Sequence, residues 1–125
     1  MTFSEPMRPF REEPQVDFLV AACGSGVSVE TTVETWGGDG LDDFFSSLAE
    51  DFRGWEGART WRCLNHALSI SAEHHSGGHV HLRWSIIDRL LDEGWHFEAT
   101  TVHAAGEEMR NLAAEIHTFL TSVIR

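Results

Sequence analysis

The sequence predicts an α+β fold: an antiparallel sheet of about five strands with two helices packed on one face, in the order ββαβββα. Three observations lead there. Several short segments alternate apolar and polar residues with the period of a strand. Two longer segments repeat apolar residues at helical spacing. The connections are short, which favours antiparallel neighbours.

The first strand is read at 16–23 (VDFLVAAC), ended by Gly-Ser-Gly at 24–26. Over 27–36, Val27, Val29, Thr31 and Val33 fall on one side and Ser28, Glu30, Thr32 and Glu34 on the other, the pattern of a half-buried strand closing a hairpin. After Gly-Gly-Asp-Gly, the residues Leu41, Phe44, Phe45, Leu48, Phe52 and Trp55 form a helical stripe. Asp39 is expected to cap that helix, Asp42 and Asp43 to complement its dipole, and Gly54 to end it. Residues 61–74 read as one strand with Leu64, Leu68, Ile70 and Ala72 on its core face. Residues 79–86 put Val80, Leu82, Trp84 and Ile86 inward, 87–94 is a loop, and 95–103 turns Trp95, Phe97 and Ala99 inward. A last helix starts near Gly106, with the stripe Met109, Leu112, Ala113, Ile116, Phe119, Leu120 and Val123. Residues 1–14 hold all three prolines and read as an extended or frayed arm, leaving 15–125 as a single α+β domain.

The chain has 125 residues, enough for one domain that buries roughly two-thirds of its unfolded surface. Twenty Asp and Glu face nine basic residues, all Arg, for a formal net charge of −11. That charge repels phosphate backbones and argues against a nucleic-acid partner. It favours solubility and speeds encounter with a basic protein partner. Lys and Tyr, whose codons are AT-rich, are both missing, which points to a GC-rich bacterial genome. Cys23 and Cys63 lie on different expected strands with no CxxC motif, as reduced thiols of a cytoplasmic protein would. The N-terminus lacks the apolar run of a signal peptide, and no stretch approaches the ~18 apolar residues of a membrane span. A soluble, cytoplasmic protein without membrane contact is expected.

The densest cluster of reactive side chains is EHHSGGHVH, Glu73 to His81. Core faces use even positions on both flanking strands, and pairing must keep like faces together. A two-residue Gly77-Gly78 loop would pair even with odd positions. A three-residue loop, Ser76 to Gly78, pairs His75 with His79, Glu73 with His81 and Ala72 with Leu82. Glu73, His75, His79 and His81 then share the outer face, joined by His96 and Glu98 of the next strand, while His74 turns inward beside Val80. Opposed side chains sit about 5 Å apart at Cβ, so two or three imidazoles could share a Zn or Ni ion. Exposed histidines on a polar face equally need no ligand. A pH response is a third use of such a cluster.

Trp55 and Trp61 flank the GWEGART loop and, if exposed with Arg53, Arg59 and Arg62, would form a binding patch, since Trp and Arg dominate interface hot spots. The competing reading is that they close the end of a core. His66 has core-face parity and reads as an edge histidine. Ser25 lacks the strand–turn–helix context of a nucleophile. No phosphate-binding glycine loop occurs.

The stretch TWGGDGLDDFFSSLAEDFRGWEGARTWRCL, 35–64, carries a resemblance. It is similar to a family of small proteins of high-GC bacteria known as a domain of unknown function. The matching features are Gly40-Leu41, Leu48-Ala49, the RGWxGxRxW run from Arg53 to Trp61, Gly78 to Val80, and Ala105 to Glu107, within roughly residues 27–120. The resemblance implies a fold and no catalytic residues. Proteins of this style look similar to immunity proteins of bacterial toxin systems.

The expected function is therefore a non-catalytic protein-binding domain, an immunity or inhibitor protein neutralising a basic toxin. Glu30, Glu34, Glu73 and Glu98 on the open sheet face are expected to dock, with Trp55, Trp61 and Arg59 as further contacts. The alternative is a Zn- or Ni-binding protein or enzyme using Glu73, His75, His79 and His81. A small-ligand pocket between sheet and helices has only His66 and His74 as polar candidates.

Overall fold

Alternation decides which side of each strand is buried. The structure, a computed structural model, describes residues 1–88 and 94–124. Along β2 (Gln15–Gly24), Val16, Phe18, Val20 and Ala22 are buried, and Val33 and Thr35 continue that face on β3 (Val27–Trp36). The buried Thr35 hydroxyl donates to the Val16 carbonyl at 2.7 Å and accepts the Gly38 N–H at 3.0 Å, so its polarity is satisfied. Residues 2–7, expected within an arm, instead form β1 (Thr2–Met7). It pairs with β2 and places Phe3 opposite Val20. Pro6 is tolerated because β1 is an edge strand.

The helical stripe that begins at Leu41 gives α1 (Leu41–Glu50), which buries Leu41, Phe45, Leu48 and Ala49. Its N-cap is Gly40, in the left-handed region and without a side-chain cap bond, not Asp39. Asp39 has another use: its carboxylate accepts the Leu64 N–H at 2.8 Å and its carbonyl accepts the Trp61 indole N–H at 2.8 Å. The stripe does not continue to Trp55. The chain turns at Asp51, and Phe52 is 51% exposed.

The expected strand over 61–74 is two strands, β4 (Ala58–Arg62) and β5 (Leu68–His75), joined by a turn. His66 takes φ 62° there, and the Cys63 N–H bonds to the Leu68 carbonyl at 3.1 Å. Leu64 is 53% exposed and His66 lies at the surface, so neither is on a core face. β6 (His79–Asp88) and β7 (Trp95–Ala104) follow. Most of the loop expected over 87–94 falls at 89–93, outside the described residues. α2 (Glu107–Ile124) closes the chain.

The fold is thus mixed α/β, with two helices and two antiparallel sheets ordered β1-β2-β3 and β4-β5-β6-β7, rather than one sheet of about five strands. The inner faces of both sheets and the two helices share one core. Phe119 of α2 packs on Phe3 and Phe18 at 6.0 and 5.4 Å, and Phe45 of α1 stacks on Trp84 of β6 at 6.1 Å. Fully burying side chains of this size stabilises by roughly 1.5–3 kcal/mol each.

A hydrogen-bonding side chain also ties the sheets together. Asn65, in the β4–β5 turn, lies against the free edge of β3. Its amide donates to the Thr32 carbonyl at 3.1 Å, and its carbonyl accepts the Glu34 N–H at 3.2 Å.

Candidate functional site

The register across β4 to β7 sorts side chains into two faces. Thr60, Ser71, Arg83 and Thr100 form one row of the outer face, and Arg62, Ser69, Ser85 and Glu98 form the next. A third row holds Glu73 and His81, and a fourth His75 and His79. The hairpin register is the one that face parity requires, with three residues in the loop.

The four residues expected to hold metal therefore do share a face, but not one centre. The His75 and His81 rings stack at 3.8 Å with 17° between planes. Stacking does not aim their nitrogen lone pairs at a common point. His75 Nε2 lies 3.2 Å from a Glu73 carboxylate oxygen. Among the described residues, no group of three or more His, Cys, Asp or Glu side chains could hold a metal ion.

The four expected docking glutamates are dispersed. Glu30 and Glu34 lie on the outer face of the three-stranded sheet, and Glu73 and Glu98 on that of the four-stranded one. Trp61 is buried at 9% exposure and its N–H is committed to Asp39, so it packs the core. Trp55 is half-buried, donates to the Ala72 carbonyl at 3.2 Å, and carries the Arg59 guanidinium 4.8 Å above its ring. Arg59 also pairs with Asp51 at 2.6 Å. Across from Trp55, the His74 ring sits edge-on at 5.5 Å, and its Nε2 is buried without a hydrogen-bond partner. Gly54 permits this approach: a Cβ there would lie 2.9 Å from His74 Nδ1.

Charge is sorted in a way the sequence does not display. The helices carry Asp42, Asp43, Glu50, Glu107, Glu108 and Glu115 against Arg110 alone. Between them runs a groove of about 740 Å³ with Ala49, Ala113, Ala114 and Phe52 along it and Asp42, Asp43 and Glu50 at its side. Asp42 meets His117 across it at 2.7 Å. The open face of the four-stranded sheet is balanced instead, with Arg62 and Arg83 against Glu73 and Glu98, and His75, His79, His81 and His96 beside them.

A cavity of about 350 Å³ lies between β1, β7 and α2. Phe3, Trp84, Leu112 and Phe119 line it, with Thr101 and His103 as polar groups. The Trp84 indole donates to the Thr101 hydroxyl at 2.8 Å, which lies 2.8 Å from His103 Nε2. Burial lowers the His103 pKa, against the opposing pull of Glu108, and so favours the neutral ring. His66 and His74 take no part. Parity along residues 101–103 was the available signal for this group; the register against Trp84 was not.

No helix among the described residues is long and apolar enough to cross a membrane. No curated protein and no solved structure matches the chain. A family model does match, and over a longer stretch, residues 1–123, than the motifs at 27–120 span: the chain belongs to the family of unknown function DUF6228.

Proposed function

We propose that the chain is a non-catalytic protein-binding domain that covers a basic protein partner, in the manner of a cytoplasmic immunity or inhibitor protein. The observation that carries this reading is the groove between α1 and α2. It combines an alanine floor, the half-exposed Phe52 ring and the carboxylates of Asp43 and Glu50, with Asp42 engaged by His117 and Arg110 the one guanidinium among the lining residues. A basic segment seated there would bury apolar surface and gain charge complementarity together. The net charge of −11 would steer its approach. Trp55 and Arg59, beyond the C-terminal end of α1, extend the contact, and Glu30, Glu34, Glu73 and Glu98 add to the long-range field.

The test is a pull-down from native lysate with the wild-type chain and with the D43R/E50R variant, each at low and high salt. A stoichiometric basic partner that dissociates with salt and is lost in the variant supports the reading. A partner held equally by both baits, or insensitive to salt, removes it.

The second reading, a Zn- or Ni-binding hairpin, rests on the register that places Glu73, His75, His79 and His81 on one face. It requires the His75–His81 stack to open. Calorimetric titration of untagged, chelator-treated protein with Zn²⁺ decides it. Affinity tighter than micromolar that is lost in H75A/H79A supports the reading, and weaker or unaltered binding excludes it.

A further inference from the structure

We infer that the open face of the four-stranded sheet is a binding site for the phosphate group of a small ligand, held by Arg62 and Arg83. The two arginines stand on β4 and β6, with the Ser69–Ser71 segment of β5 between them. Register puts them two strands apart and one row out of step, roughly 12 Å between Cα atoms. Two long side chains can close that gap from opposite sides.

Both arginines are exposed. Among the described residues, neither has a hydrogen-bond or ion-pair partner, although the protein is strongly acidic. The two carboxylates of this face lie beside histidines: Glu73 is 3.2 Å from His75 and Glu98 is 3.4 Å from His96. The hydroxyls of Thr60, Ser69 and Ser71 are also without partners among the described residues. Ser85 pairs with His96 at 2.7 Å. These groups line one groove of about 640 Å³.

The donor set selects the ligand class. One guanidinium satisfies a planar carboxylate in bidentate fashion. Two guanidiniums from separate strands, with hydroxyl donors on the floor between them, suit a tetrahedral oxyanion approached from several sides. The groove is larger than one phosphate and leaves room for the group that bears it. Glu98 at the groove's edge repels a second anionic centre there and favours a neutral or cationic remainder. This site lies on the four-stranded sheet, and its outcome is independent of the helical groove.

Untagged protein is titrated with O-phosphoethanolamine, a phosphate monoester with a cationic remainder, at constant ionic strength and followed by ¹H–¹⁵N NMR, including the arginine Nε–H signals. The expected result is saturable shifts confined to residues 60–62, 69–71 and 83–85, with affinity reduced at least about tenfold in R62Q and in R83Q. Pyrophosphate run in parallel, whose second anionic centre Glu98 repels, should saturate the same signals more weakly. Shifts that grow linearly without saturating, that map to other residues, or that keep full affinity in the R62Q/R83Q double variant overturn the inference. Both positions are exposed, and unchanged spectra elsewhere verify that each variant keeps its fold.

Discussion

Asn65 and Glu34 bond each other twice across the gap between the sheets. The Asn65 backbone N–H meets the Glu34 carbonyl at 3.4 Å, and the Glu34 N–H meets Asn65 Oδ1 at 3.2 Å. The same oxygen accepts from the Ala67 N–H at 3.2 Å and the Cys63 thiol at 3.0 Å. Asn65→Ala strips partners from several groups at once and should destabilise by about 2 kcal/mol. Urea unfolding with an unchanged m-value and a lowered midpoint is the expected readout; a midpoint equal to wild type would remove Asn65 as the pin.

Gly54 holds φ at 117° beneath the His74 ring. Gly54→Ala should cost roughly 1–3 kcal/mol, because strain in that region adds to the clash with His74. Truncating His74 to Ala relieves only the clash. The G54A/H74A pair should therefore be less destabilised than the sum of the single variants, with the cycle read by thermal or chemical unfolding.

His103 links stability to pH. Its folded pKa is lowered from 6.5 by burial. The unfolded chain consequently binds the proton first as pH falls, so this group's share of stability is full above about 6.5 and is lost below it. His103→Gln should flatten the fall in stability between pH 7 and pH 5 relative to wild type, as followed by denaturation midpoints across that range. A slope identical to wild type would exclude His103 as its source.

The two free cysteines should separate by reactivity. Cys63 is buried, and desolvation raises its thiol pKa, opposed by hydrogen bonds from the Leu68, Ala67 and Asn65 backbones. Cys23 is exposed. Brief alkylation of native protein should add one label, on Cys23, and a second only in denaturant, by mass spectrometry. A first label on Cys63 would contradict the packing around it.

Local pattern carried much of the fold. Parity fixed the inner faces of β5 and β6, and with them the histidine hairpin's register, because a slip of one residue would turn every apolar side chain outward. Parity failed where a turn kept the alternation going. Leu64 has the phase of a core residue, but His66 at positive φ ends the run, and the β4–β5 hairpin hides inside what reads as one strand. β1 was concealed by its proline. Helical spacing likewise ran on through Phe52 and Trp55 after α1 had ended.

The candidate sites were less legible, since they arise between elements. Sequence proximity groups Arg62 with Arg53 and Arg59; Arg83 meets it only through two strand pairings. The Trp84–Thr101–His103 chain depends on the β6–β7 register, which no short turn motif announces. The acidic groove exists because α1 and α2 lie side by side, which neither helix encodes alone.

The excess of carboxylates on the helices over the charge-balanced sheet face makes the molecule a standing electric dipole. On a positively charged support it should land with α1 and α2 down and the arginine-bearing sheet turned to solvent. A negatively charged support should hold it the other way up, and weakly. Immobilised assays of this protein will therefore see one of its faces and hide the other, depending on the chemistry of the chip.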